Sequence, residues 1–128
     1  LDNTHVRLLV VDDDALYLRA VARQLGSRYT VRTASTREEA VSIAQKEPVD
    51  AVICDLVLST ASGFTVRAAI VEARPTLATR IAFASGTTLD AELQSQIEKS
   101  GCAFLPKPYT VDEIHAWVKR VAAIPPET

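Results

Sequence analysis

Short runs of almost wholly apolar residues punctuate this chain and leave it few ways to fold. They are Leu8-Leu9-Val10-Val11, Ala51-Val52-Ile53-Cys54, the stretch at 80–84, and Ala103-Phe104-Leu105-Pro106. Runs of this length read as strands buried on both faces, the situation of a strand inside a parallel sheet covered by helices. The longer segments between them carry apolar residues at helical spacing, so strand and helix alternate along the whole length. That alternation predicts βα units around a parallel sheet, and five units fit the 128 residues.

Local signals place the units. The first strand is expected at 6–11, followed by a helix capped by Asp14, with Leu16, Ala20, Val21 and Leu25 on its inner face and Gly26 at its end. The alternating, β-branched stretch at 29–33 suits a half-buried edge strand. Thr36 with Glu39 forms a capping-box pattern that opens a second helix through Lys46, and Pro48 forbids its continuation. A third strand is expected at 50–55, and a third helix after Gly63 presents Phe64, Ala68, Ile70 and Val71 until Arg74-Pro75 stops it. After the fourth strand, the helix at 90–100 offers only the thin stripe Leu89, Leu93 and Ile97, which predicts weak anchoring. Gly101 ends it, 102–106 is the fifth strand, and Val111, Ile114, Val118 and Val121 face the core from the last helix, with Trp117 set off that face as a peripheral residue or part of a partner surface.

Composition narrows the function classes. A chain of 128 residues is expected to form a single domain with a self-sufficient core, and its net charge of −2 supplies no footprint for nucleic acid or anionic lipid. Cys54 and Cys102 lie in or beside apolar runs and read as small buried hydrophobes of a reduced compartment rather than a disulfide framework. No apolar stretch reaches the roughly 18 residues that span a bilayer, which points to a cytoplasmic chain without membrane insertion. Residues 1–5 read as an N-terminal extension, 6–123 as the domain, and 124–128, with Pro125-Pro126, as a tail or linker start of a segment cut from a longer protein. His5 and His115 are isolated, without ligand spacing, and receive no chemical role.

Chemistry concentrates where the strands end. Asp12 and Asp13 close the first run, Asp55 closes the third strand, and Lys107-Pro108 follows the fifth. In an open parallel sheet the carboxyl ends of the strands line the ligand crevice, so these groups are expected to converge there. Carboxylates crowded together raise one another's pKa values, an arrangement that a hard cation such as Mg²⁺ relieves. An ionised Asp can attack phosphorus without a general base, which makes Asp55 a candidate nucleophile. Phosphoryl transfer otherwise needs alignment and positive charge around the equatorial oxygens, which Lys107 and the Ser85 hydroxyl can serve, with Gly86 leaving room for close backbone approach.

Taken in order, these residues resemble the receiver domain of two-component response regulators, the CheY-like group, over residues 6–123. Val10-Val11-Asp12-Asp13-Asp14 resembles the acidic pair on the first strand. Asp55-Leu56, with Gly63 eight residues on, resembles the phospho-acceptor loop. Ser85-Gly86, Phe104 and Lys107-Pro108 resemble the switch hydroxyl, the switch aromatic and the lysine of that family. The resemblance implies a flavodoxin-like (βα)5 doubly wound fold with strand order 2-1-3-4-5. It also implies that Asp55 receives phosphate from a histidine kinase or phosphotransfer protein. Asp13, Asp55 and the carbonyl of Val57 would then touch Mg²⁺, Asp12 would reach it through water, and Lys107, before a cis bond to Pro108, would pair with Asp55 or the phosphate. Ser85 would swing toward the phosphoryl group and let Phe104 turn inward. The face made by the fourth helix, fifth strand and fifth helix would change, engaging an output domain, a downstream protein or a second copy.

Departures from the family pattern carry their own expectations. Ser59 stands where a proline is usual, which predicts a looser loop at 58–62. Phe104 has no hydroxyl to bond in an active state. Val57 and Thr87 occupy the variable positions beside the phosphoryl group, and apolar Val57 cannot orient an attacking water, so a long-lived aspartyl phosphate is expected. Other classes compete with a receiver that modifies only itself and turns over no separate substrate. A haloacid-dehalogenase-like phosphatase would place an acid two residues past the nucleophile, where Val57 stands. A phosphate-independent module that keeps only the fold would be expected to have lost one of Asp12, Asp13, Asp55, Ser85 or Lys107.

Overall fold

The computed structural model describes residues 6–122, and the expected extension, His5 and the tail lie outside the described residues. Five parallel strands, β1 (Arg7–Val11), β2 (Thr30–Ala34), β3 (Ala51–Asp55), β4 (Ile81–Ser85) and β5 (Ala103–Pro106), form one sheet in the order β2-β1-β3-β4-β5. The helices are α1 (Ala15–Leu25), α2 (Arg37–Lys46), α3 (Gly63–Ala73), α4 (Ala91–Ser100) and α5 (Val111–Ala122). This is the doubly wound order that the resemblance implies, with β2 and β5 as the edges.

The period of two along each strand divides the core into two halves. Leu8, Val10, Ala51, Ile53, Ala82 and Ala84 face a cluster built with Leu18, Val21 and Leu25 of α1 and Ile114, Trp117 and Val118 of α5. Leu9, Val11, Val52, Cys54, Ile81 and Phe83 face the other, with Ala40 and Ile43 of α2, Val66 and Ile70 of α3 and Ile97 of α4. Both faces of β3 and β4 are therefore buried, which is why their sequences are apolar up to the polar residue that ends each, Asp55 and Ser85.

Several local expectations are corrected. On α1 the buried face is Leu18, Val21 and Leu25, while Leu16 is 73% exposed and Ala20 is exposed as well. Leu16 lies two residues before Leu18, about 200° round the helix, so both cannot face the sheet. On α3 the same phase error exposes Ala68 and buries Val66 with Ile70. Trp117 is not peripheral: it is 3% exposed and completes an i, i+3, i+4, i+7 face with Ile114, Val118 and Val121. Cys102 is only half-buried. Gly26 ends α1 with right-handed φ −64°, and the left-handed glycine of this chain is Gly101, φ 72°, at the end of α4. A 3-10 turn over Pro75–Thr79, not foreseen, buries Leu77 beneath α3.

Caps behave as the sequence suggests, with one displacement. Asp14 Oδ1 accepts from the amides of Leu16 and Tyr17 at 3.1 Å each, and Thr36 Oγ1 accepts from the amide of Glu39 at 3.1 Å. Glu39 reaches back differently from a capping box: its Oε1 takes the amide and hydroxyl of Ser35, at 3.2 and 2.7 Å, and the hydroxyl of Thr36 at 3.5 Å. A full capping box, unread in the sequence, opens α5, where Glu113 N–H donates to Thr110 Oγ1 and Thr110 N–H to Glu113 Oε1, at 3.0 and 2.9 Å.

Candidate functional site

The sheet ladder continues one residue past its strands and thereby levels the acids. Asp12 N–H donates to Ala34 O at 3.0 Å, Leu56 N–H to Ala84 O at 2.8 Å, and Lys107 N–H to Ser85 O at 2.9 Å. Held at one height, Asp12, Asp13 and Asp55 offer carboxylate oxygens that all lie within 4.8 Å of one another. Asp12 and Asp55 are buried and Asp13 is exposed. Lys107 reaches between the buried pair, with Nζ 2.5 Å from Asp12 Oδ2 and 3.2 Å from Asp55 Oδ2, and its bond to Pro108 is cis.

The charges pull in opposite directions. Burial raises the Asp55 carboxyl above its ordinary range, Lys107 opposes it, and Asp12 reinforces it. Burial alone would lower the Lys107 ammonium, but its hydrogen bond to Asp12 and the charges of Asp55 and Asp12 outweigh that and raise it. One ion pair thus favours ionisation of the lysine more than of Asp55. The geometry explains the asymmetry, because the closer contact of Lys107 goes to Asp12. The cluster is therefore short of positive charge, and its hard oxygen donors fit a hard divalent cation.

Gly63 decides how closely the loop after Asp55 can pack. Its N–H donates to Leu56 O at 2.7 Å, and a Cβ built there would stand 2.4 Å from Asp55 O and 2.9 Å from Leu56 Cα. By contrast, a Cβ on Gly86 would meet only Lys107 side-chain carbons at 3.8 and 3.9 Å, an ordinary contact, so it is at Gly63 that the packing of the chain itself requires a missing side chain. The 58–62 loop carries several bonds of its own. An antiparallel bridge joins Val57 to Ser62, Leu58 N–H donates to Ala61 O at 3.0 Å with Leu58 buried, and Ser59 N–H donates to Asp13 Oδ2 at 2.6 Å. Serine at this position keeps a donor that proline would lack.

The remaining nominated residues stand nearby in distinct settings. Val57 lies on the rim, 62% exposed, and its N–H faces Asp55 Oδ1 at 3.4 Å. Ser85 is buried, with Oγ 3.0 Å from Thr87 Oγ1 and accepting from Thr87 N–H at 3.2 Å. Phe104 is half-buried against the α3–α4 half of the core, one strand over from Phe83. Cys54 is excluded as a nucleophile, since burial, with Asp55 and Asp12 adding, pushes its thiol up to about 12. Sequence reasoning missed Tyr17 and Tyr109. Lys107 Nζ lies 4.6 Å from the Tyr17 ring centroid, and Tyr109 meets that ring edge-on at 5.8 Å.

Comparison with known proteins converges on this fold. The response regulator receiver domain family matches residues 8–119, and the chain belongs to that family. It is 30% identical over 121 residues to the photosynthetic apparatus regulatory protein RegA of Cereibacter sphaeroides, covering 93% of this chain and 65% of RegA. It is 31% identical over 114 residues to the sensor histidine kinase RcsC of Escherichia coli, covering 88% of this chain and 12% of RcsC. The chain thus spans only part of each of these curated relatives. Among solved structures, a response regulator from Burkholderia pseudomallei with a phosphorylated aspartic acid, calcium ion and citrate aligns at TM-score 0.77 and 30% identity, over 93% of this chain and 72% of that one. Among the described residues, no helix is long and apolar enough to cross a membrane.

Proposed function

We propose that this receiver domain accepts a phosphoryl group on Asp55 from a phosphohistidine of a histidine kinase or phosphotransfer protein. The observation that carries the reading is Lys107 bridging Asp12 and Asp55 at the edge of a three-carboxylate cluster. An Asp55 oxygen forms a bond to phosphorus as the P–N bond of the donor breaks, and the electron pair leaves with the imidazole. Asp12, Asp13, Asp55 and the Val57 carbonyl would hold Mg²⁺, which supplies positive charge to the phosphoryl oxygens. The calcium ion and phosphorylated aspartate of the Burkholderia relative support the same pairing of cation and acyl phosphate. Lys107 keeps its charge beside the acceptor and moves from Asp55 toward the incoming oxygens.

The domain is a signalling module rather than an enzyme with a separate substrate, since no acid stands two residues past Asp55 to protonate a leaving group. Ser85 leaves Thr87 to contact the phosphoryl group, Phe104 turns inward, and the α4-β5-α5 face shifts toward the state that an output domain, a downstream protein or a second copy binds. The setting is cytoplasmic, where kinase and acceptor meet.

Incubation with Mg²⁺ and acetyl phosphate, read by intact mass, tests this. One acid-labile phosphate is expected on the parent and none on Asp55→Asn. Continuous release of inorganic phosphate would identify a phosphatase instead, and no modification at all would leave a binding module that keeps only the fold.

A further inference from the structure

Asp13 is the exposed member of the acid cluster, yet its carboxylate is already engaged: Oδ2 accepts the backbone N–H of Ser59 at 2.6 Å, across 46 residues of sequence. The donor comes from a loop that is itself tied down, by the Val57–Ser62 bridge, the Leu58–Ala61 bond and the Gly63–Leu56 bond. A backbone amide on such a loop has no rotamer freedom to lose, and its bond to a carboxylate is charge-assisted. A carboxylate has about four lone-pair sites, so one amide on Oδ2 leaves the others open to an ion while fixing the plane in which they point.

We infer that the Ser59 amide is a positioning group for a divalent cation at Asp13, and that cation binding and the order of the 57–62 loop are coupled through it. The same bond fixes the loop that carries Val57 against β1, so two of the nominated cation ligands are set by one contact. Partners that orient a metal ligand from outside the coordination sphere typically change affinity by about 10–100-fold. The coupling is reciprocal: a bond that tightens the ion must be tightened by it to the same degree. This inference rests on the reading of the acid cluster as a cation site.

Titrating Mg²⁺ into the protein without a phosphodonor, by calorimetry and amide NMR, tests it directly. Ser59→Ala keeps the N–H and is expected to match the parent. Ser59→Pro removes the N–H and is expected to lose about tenfold in Mg²⁺ affinity. Because proline also reshapes backbone, an α-hydroxy-acid analogue of serine at position 59, which replaces N–H by oxygen, should show the same loss. In the parent, hydrogen exchange at the Ser59 amide should slow on adding Mg²⁺. Equal or tighter Mg²⁺ binding by both variants that lack the N–H overturns the inference while leaving the cation site intact, as does faster exchange at Ser59 with Mg²⁺. Weakening by Ser59→Ala as large as by the proline variant overturns it too, by assigning the effect to the side chain. If the parent binds no divalent ion, the cation site itself falls, and this inference with it.

Discussion

Gly63 touches Asp55 through backbone alone: its Cα sits where an added Cβ would lie 2.4 Å from the carbonyl oxygen of Asp55. The obstacle is main chain at the end of β3, which cannot swing aside as a side chain would. Gly63→Ala should therefore destabilise the domain by about 1–3 kcal/mol, in the range of overpacked interiors, and shift the Asp55 carboxylate. Urea unfolding gives the first quantity and the rate of phosphorylation by acetyl phosphate the second. A fully stable, fully active alanine variant would mean that the loop gives way more easily than the geometry allows.

Tyr17 lays its ring against the Lys107 ammonium, 4.6 Å away, while Asp12 and Asp55 hold the other side. Tyr17→Phe keeps the ring face and should phosphorylate like the parent. Tyr17→Leu should lose roughly 1 kcal/mol of that attraction, or about fivefold in phosphorylation rate. Equal rates for the leucine and phenylalanine variants would assign the ring to packing only.

The raised pKa of Asp55 gives a signed dependence on pH. Burial is its chief cause, so the folded protein holds that proton more tightly than the unfolded chain does. Ionising Asp55 then costs stability: the cost is absent below the ordinary value of 3.8 and complete once pH has risen through the folded-state value. Without divalent ions, Asp55→Asn should melt a few degrees above the parent at neutral pH, with the gap closing in acid. Mg²⁺ should raise the parent's Tm more than the variant's. A parent that melts higher than Asp55→Asn in chelator at pH 7 would contradict this sign.

The Ser85 hydroxyl is occupied by Thr87, whose Oγ1 lies 3.0 Å away. Reorienting Ser85 toward a phosphoryl group must break that contact. Thr87→Val removes the hydroxyl at similar volume and should favour the beryllofluoride complex by about 0.5–1.5 kcal/mol, the net worth of one hydrogen bond. Fluoride titrations in the presence of beryllium and Mg²⁺ measure the shift, and weaker complex formation would show that Thr87 serves the bound state instead.

Val57 stands 62% exposed on the rim of the site, so a water approaching the phosphoryl group there meets methyl groups. An amide at this place can hold that water. Val57→Asn is expected to shorten the lifetime of the aspartyl phosphate several-fold, as followed by decay of the phosphorylated mass. An unchanged or longer lifetime would place the attacking water elsewhere.

Much of the site was legible because it is written at strand ends. Asp12 and Asp55 each close a buried apolar run and Lys107 follows one that proves only partly buried, at the sheet edge, and a parallel sheet brings such termini to one side whatever the helices do. The Ser59 amide was not legible, since every residue except proline carries that donor and only the folded loop aims it at Asp13. Tyr17 looked like one more helix residue until the sheet set the phase of α1 and turned it toward Lys107. The same phase ambiguity misplaced Leu16 and Ala68, because apolar side chains on a short helix fit more than one face. Trp117 was misplaced although, with Ile114, Val118 and Val121, it falls on a core pattern that the sequence does carry. The turn at Pro75–Thr79 is too short to have any period.

Among the residues of α4, Ile97 alone is buried, and Leu93 keeps part of its surface in water. Burying one such side chain is worth ~1.5–3 kcal/mol, no more than one or two charge-assisted hydrogen bonds can return. A helix fastened by a single rivet can be reseated by a correspondingly small chemical event, so the outer contour of this domain lies within reach of one new covalent bond at the far end of the neighbouring strands.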